Sequence, residues 1–105
     1  MGKLIYGPTG LEIDIDDRVL AHMRVVINAK FRRGEAFLFN WEHNSDEGNG
    51  RSSIWMHPTI PLHIRFYGNR QPPVNRAWIE ALMVTANSAN GMVLIAEPGG
   101  TGPQT

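Results

Sequence analysis

Residues 51–67 read RSSIWMHPTIPLHIRFY, two alternating segments on either side of a turn that begins and ends with proline. Alternation of polar and apolar residues with a period of two is typical of strands that have one buried face. The two prolines remove backbone donors and so end the ladder at the turn. The stretch therefore predicts two strands, residues 51–57 and 62–67, that pair as an antiparallel hairpin.

The alternation also predicts which side chains of this hairpin face solvent. If Ile54 and Met56 share the core side with Ile64, the opposite side of the simplest antiparallel register carries the polar and aromatic residues. The predicted ligand-binding face consists of Arg51, Ser53, Trp55, His57, His63, Arg65 and Tyr67. Its predicted cross-strand neighbours are Trp55 and Arg65, His57 and His63, and Ser53 and Tyr67.

Such a face suits a planar anionic ligand of the nucleotide type. Rings stack on tryptophan and tyrosine, and a guanidinium forms forked hydrogen bonds to phosphate or carboxylate. The charge pattern agrees, because residues 51–76 contain four arginines and no acidic residue. Two alternatives stay open: the face pairs with a protein partner, including a second copy of the chain, or Trp55 and Arg65 are ordinary cross-strand neighbours.

The other segments predict further strands and two helices. Residues 4–6 and 11–15 predict an opening hairpin, 35–41 a strand covered on both faces, 42–50 a polar loop and 92–96 a buried strand. Asp16 predicts the start of a helix that ends near Gly34, and Asn75 predicts the start of a second helix that runs to about Ser88. His22 is expected on the solvated side of the first helix.

These elements run in the order β-β-α-β-β-β-α-β. The order favours an α+β fold, a two-layer sandwich with one mostly antiparallel sheet and two helices on one face. A length of 105 residues fits one domain. We expect a single domain over residues 1–97 and a flexible C-terminal tail over 98–105, which is rich in glycine and proline.

Composition excludes several functional classes. Ten basic residues balance ten acidic residues, so no overall field attracts the chain to nucleic acid or to a membrane. The absence of cysteine excludes disulfides, zinc ribbons and thiol catalysis. No apolar run approaches the ~20 residues that span a bilayer. We therefore expect a cytoplasmic protein with no membrane partner and no cofactor.

Signals for catalysis and metal binding are weak. His57 and His63 lack the third protein ligand that a zinc site needs, and Asp16 with Asp17 suits the start of a helix better than a magnesium site. The sequence contains neither a phosphate-binding glycine loop nor a Gly-x-Ser-x-Gly elbow. The prediction is no catalytic residue and no metal.

Five segments carry a family resemblance: MGKLIYG (1–7), DDRVLAH (16–22), KFRRGE (30–35), GRSSIWMHP (50–58) and NRAWIEALM (75–83). Over nearly its whole length the chain resembles a small uncharacterised family of actinobacteria and of phages that infect them, whose members are often labelled ATP-dependent DNA ligases. The resemblance implies no established activity. Ligase chemistry requires a nucleophilic lysine in a Lys-x-Asp-Gly motif, and neither Lys3 nor Lys30 lies in one. The ligase label is therefore rejected.

The sequence predicts a non-enzymatic binding module that self-associates and engages a nucleotide-like ligand or a protein partner. In a phage, it would be an anti-defence protein that sequesters a nucleotide. The alternative is a structural or adaptor protein, which would be associated with the virion if it is a phage structural component. A second alternative is an accessory protein that binds nucleic acid, with an affinity that falls steeply as salt increases.

Overall fold

Eight elements follow one another in the computed structural model, which describes residues 1–45 and 48–99. They are β1 (Gly2–Tyr6), β2 (Leu11–Ile15), α1 (Asp17–Arg32), β3 (Phe37–Ser45), β4 (Gly48–Met56), β5 (Leu62–Arg65), α2 (Arg76–Ala86) and β6 (Met92–Val93). This mixture confirms the predicted α+β class.

The strands form two three-stranded sheets rather than one. Sheet A has the order β2-β1-β5, and sheet B has the order β4-β3-β6. Their pairings are antiparallel except that of β3 with β6, which is parallel. Helix α1 contacts β1, helix α2 contacts β3 and β6, and the helices contact each other. The prediction of a single sheet is therefore wrong.

The hairpin predicted for residues 51–67 is also wrong. β4 pairs with β3, from Phe37 opposite Met56 to Ser45 opposite Gly48, whereas β5 pairs with β1. The turn between the prolines ends the ladder as expected, but it carries the chain from sheet B to sheet A. The Gly7 N–H donates to the Pro61 carbonyl oxygen at 3.0 Å and fixes this passage. Alternation shows which residues share a face, but it does not show which strand lies alongside.

β3 and β4 pair as a ribbon that extends into the predicted loop over residues 42–50. Residues 42–45 and 48–50, predicted as a loop, continue the two strands, and Asp46 and Glu47 lie outside the described residues. Glu42, His43 and Gly50 are exposed. Backbone groups can pair in a ribbon without any contribution from buried side chains, so the polar composition of these residues does not distinguish a ribbon from a loop.

Both helices begin where the sequence predicts. The Asp16 carboxylate accepts the backbone N–H of Arg18 at 3.1 Å, and the Asn75 side-chain oxygen accepts the backbone N–H of Trp78 at 3.3 Å. Such bonds satisfy donors of the first helical turn, where intrahelical acceptors are lacking; the Trp78 N–H also donates to the Asn75 carbonyl oxygen at 3.1 Å. Helix α2 ends at Ala86, slightly before its predicted end.

The apolar core lies between the helices and the two sheets. Its buried residues are Leu4, Tyr6, Ile13, Ile15, Leu20, Met23, Val26, Ile27, Phe37, Phe39, Met56, Trp78, Leu82, Ala86 and Met92. His22 is buried as well, so the prediction that it is solvated is wrong. The reason is tertiary: its ring packs against Trp78 of α2 at a centroid distance of 4.5 Å.

Strand β6 is shorter than the predicted strand 92–96. It consists of Met92–Val93, and Val93 and Leu94 are exposed, so this apolar run is not buried on both faces. Gly91 precedes it with a φ of +90°, and a Cβ at this position would lie 2.6 Å from the Leu38 carbonyl oxygen. Glycine therefore permits the close approach of β6 to β3.

Candidate binding surfaces

The structure distributes the seven predicted site residues over two sheets, and none of them is buried. On the side of β4 that faces away from the core lie Arg51, Ser53 and Trp55, and His57 follows the strand. On the outer side of β5 lie His63 and Arg65, and Tyr67 follows that strand. The expected neighbours, such as Trp55 and Arg65, are not paired, because β4 and β5 belong to different sheets.

Trp55 lies on the outer face of sheet B. We call this surface the Trp55 face; it consists of Leu38, Asn40, Glu42, Arg51, Ser53 and Trp55. Across the strands, Leu38 is opposite Trp55, Asn40 opposite Ser53, and Glu42 opposite Arg51. Trp55 is 55% exposed, and aromatic rings are enriched at the centres of protein interfaces.

The centre of the Trp55 face is polar but already hydrogen-bonded. The Ser53 hydroxyl donates to the side-chain oxygen of Asn40. The Asn40 amide nitrogen donates to the carbonyl oxygens of Asn90 at 2.8 Å and Met92 at 3.2 Å. Asn40 therefore ties β3 to β4 and to the segment that enters β6. Sequence reasoning missed its role, because residue 40 could be placed on this face only once the partner strand was known.

Two opposite charges lie at one end of the Trp55 face. Glu42 and Arg51 are cross-strand neighbours and are both exposed. Within residues 1–45 and 48–99, neither side chain takes part in an ion pair. The described residues therefore leave both charges accessible to a binding partner.

The backbone beneath Trp55 is held by sheet A. The Tyr6 hydroxyl donates to the Trp55 carbonyl oxygen, which joins β1 to the end of β4. Burial raises the pKa of Tyr6 above its ordinary value, so the phenol stays protonated and remains a donor at neutral pH. The hydrogen bond from Tyr6 thus fixes the backbone of Trp55, while its indole projects into solvent.

The second exposed group, which we call the β5 strip, consists of His63, Arg65 and Tyr67. Arg65 lies opposite Lys3. Lys3 Nζ forms ion pairs with Asp14 at 2.7 Å and Glu12 at 3.3 Å, and the hydrogen bonds to these carboxylates raise the pKa of Lys3. Arg65 makes no ion pair with any described residue. Its guanidinium is therefore available to an anion.

The end of the β5 strip is attached to the start of α1. The Asp17 carboxylate accepts the backbone N–H groups of Gly68 at 2.9 Å and Tyr67 at 3.2 Å. These bonds, that of Gly68 foremost, lower the pKa of Asp17. The backbone of Tyr67 is fixed in this way, while the residue as a whole is 57% exposed.

A cleft of about 900 Å³ lies between β2 and sheet B. Its apolar lining includes Ile13, Trp41 and Leu94. Arg51 and Ser53 also line it, together with the carboxylates of Asp14, Asp16 and Glu42. An anion bound by Arg51 at this point would approach several carboxylates, so the cleft is a poor site for the anionic ligand that the sequence suggests.

The histidines do not form a catalytic or metal-binding group in the described part of the chain. His43 Nε2 lies 2.5 Å from the Ser52 hydroxyl, but no described carboxylate orients this imidazole as in a serine hydrolase. His57 Nδ1 accepts the Thr59 backbone N–H at 3.2 Å. Among residues 1–45 and 48–99, no three histidine, aspartate or glutamate side chains are grouped to hold a metal ion.

Comparison with known proteins identifies the family of the chain. It belongs to DUF7882, a domain of unknown function, whose family model matches residues 1–97. No curated protein and no solved structure matches the chain. Over the residues that the structure describes, no helix is long and apolar enough to cross a membrane.

Proposed function

We propose that the chain is a binding module without catalytic chemistry and that its Trp55 face docks a second copy of the chain. The observation that carries the proposal is the indole of Trp55, which is 55% exposed on a face with an internally hydrogen-bonded centre. A partner that covers this ring removes apolar surface from water and leaves Asn40 and Ser53 paired. Covering the ring thus gives a hydrophobic gain, and the paired Asn40 and Ser53 add only a small desolvation penalty.

The charges on the Trp55 face support self-association. In a two-fold contact the same surface is present on both sides. The Arg51 guanidinium of one copy can then pair with Glu42 of the other, and the reciprocal pair forms at the same time. The zero net charge of the chain removes general repulsion between two copies.

Native mass spectrometry over a range of protein concentrations tests this proposal. Trp55→Ser removes the central indole, and Tyr67→Ser is its matched control, because Tyr67 is 57% exposed but belongs to the β5 strip. We expect the wild type and Tyr67→Ser to form the same symmetric oligomer and Trp55→Ser to remain monomeric. A monomeric wild type, or an unaltered oligomer of Trp55→Ser, would reject the proposal.

A charge exchange tests the geometry of the contact. Arg51→Glu places two carboxylates across the strands and should weaken self-association. Combining it with Glu42→Arg restores one charge of each sign and should recover the oligomer. If the double variant is as weak as the single one, the two residues do not meet across the interface.

The β5 strip favours a second candidate function, the binding of a planar anionic ligand. Arg65 supplies a guanidinium without an acidic partner in the described residues, and Tyr67 supplies an exposed ring. Adenosine monophosphate should raise the melting temperature of the wild type and of Trp55→Ser but not that of Arg65→Gln. Equal shifts in all three proteins, or no shift in any, would contradict the candidate.

The two candidates lead to different biological roles. Self-association without a ligand fits an assembly or adaptor component, such as a virion protein. Retention of a nucleotide fits sequestration, as in an anti-defence protein. Binding of nucleic acid would instead show an affinity that decreases steeply with salt, because each phosphate contact releases counterions.

A further inference from the structure

A polar network connects the first turns of both helices with the C-terminal segment. We call it the junction; it consists of Arg18, His22, Asn75, Trp78 and Glu97. Arg18 donates from Nε and Nη2 to the two oxygens of Glu97, at 2.9 and 2.6 Å. The Asn75 amide donates to Glu97 at 2.8 Å, and the Trp78 indole N–H donates to the Ile95 carbonyl oxygen at 3.0 Å. These bonds hold residues 95–97 against the helices.

His22 occupies the buried centre of the junction, and its contacts define one neutral tautomer. Its Nδ1 lies 2.7 Å from the Arg18 carbonyl oxygen, which can only accept, so Nδ1 carries the proton. Its Nε2 lies 2.8 Å from the backbone nitrogen of Asn75, whose N–H can only donate, so Nε2 accepts. A second proton on the imidazole would therefore remove the acceptor of the Asn75 N–H.

The charged groups that face His22 are Arg18 from α1 and Glu97 from the C-terminal segment. They neutralise each other in an ion pair of 2.6 Å. Asn75 and Trp78, which approach from the start of α2, are neutral. The hydrogen bonds from Arg18 and Asn75 lower the pKa of Glu97 to about 2. Glu97 therefore stays ionised throughout the range in which histidines take up a proton.

We propose that the junction is an acid-sensitive latch, in which protonation of His22 Nε2 releases the start of α2 and the segment that follows β6. Two N–H groups would then point at each other beside the fully buried His22 ring, and Asn75 would have to move away. The closed junction requires an unprotonated Nε2 as the acceptor of the Asn75 N–H. The open state binds one more proton than the closed state, so opening increases as the pH falls.

Amide hydrogen exchange of the full chain, followed by NMR, tests the latch between about pH 7.5 and pH 5.5. After correction for the intrinsic exchange rate, opening at the Asn75 amide should increase as the pH falls, by up to about tenfold per pH unit. Amides of β1 should remain protected, which distinguishes local opening from global unfolding. His22→Gln keeps an oxygen that can accept from Asn75 and does not titrate, so its opening should not depend on pH. His63→Gln, at an exposed position, should behave like the wild type.

Two outcomes would overturn the latch. One is a wild-type Asn75 amide whose corrected exchange does not change with pH. The other is a change of the same size in His22→Gln. If that variant does not fold, the NMR signals of the His22 ring in the wild type are followed over the same pH range. Protonation of the ring together with opening at Asn75 supports the latch. Protonation of the ring without opening refutes it. Neither result depends on the oligomeric state or on a bound ligand.

Discussion

Phe37 and Trp55 allow a direct test of which face of sheet B is buried. They lie at the same end of the sheet, because Phe37 pairs with Met56 and Leu38 pairs with Trp55. Phe37 is 3% exposed, so Phe37→Ala leaves a cavity and should cost about 3–5 kcal/mol. Trp55 is 55% exposed. At about 25 cal/mol per Å² and roughly 150–250 Å² for a fully buried aromatic side chain, the covered part of its ring sets an upper bound of about 2–3 kcal/mol for Trp55→Ala.

The assay is urea unfolding of the wild type and both variants, followed by far-ultraviolet circular dichroism. Each protein is measured at two concentrations, because self-association stabilises the folded state by mass action. Phe37→Ala should lower the unfolding free energy equally at both concentrations. Relative to the wild type, Trp55→Ala should lower the unfolding free energy less at the lower concentration, where the monomer dominates, than at the higher concentration. A loss at that concentration as large as that of Phe37→Ala would place the indole in the interior and remove the Trp55 face.

Two further predictions concern the C-terminal half of the chain. Because Arg18 holds the pKa of Glu97 at about 2, against an ordinary 4.5, ionised Glu97 stabilises the fold above pH 4.5 and loses this contribution as the pH falls toward 2. Calorimetry should therefore show that Glu97→Gln is less stable than the wild type at neutral pH and that the two converge in acid. Gly91→Ala should lower the melting temperature more than Gly34→Ala: both glycines have positive φ, but only at Gly91 would a Cβ meet the Leu38 carbonyl oxygen. Equal decreases in melting temperature for the two variants would show that the positive φ alone determines the effect.

Features that depend on neighbouring residues were predictable from the sequence. Asp16 and Asn75 cap their helices through bonds within one turn, so the helix starts need no knowledge of the rest of the fold. The pairing of β1 with β2 has the same origin, since Gly7 and Gly10 provide the positive φ angles of a short connection. In these cases the chemistry that determines the structure is contained in a few consecutive residues.

Features that depend on distant segments were not predictable in this way. The alternation of residues 62–67 shows that Ile64 faces inward, but its partner Leu4 comes from the other end of the domain. The burial of His22 likewise depends on Trp78, which α2 brings onto the polar side of α1. Asn40 joins three segments of sheet B that the sequence does not place together. These three errors therefore concern contacts whose partners are remote in the sequence.

The passage of the chain from sheet B to sheet A changes what the predicted site can do. In a hairpin, the ring of Trp55 and the guanidinium of Arg65 would act on one ligand. On separate sheets they have different surroundings: Trp55 shares its face with one charge of each sign, whereas Arg65 lacks an acidic partner in the described residues. The first arrangement suits a self-complementary protein contact and the second suits an anion. Loss of one function on substitution should therefore leave the other intact, which a single shared ligand surface would not allow.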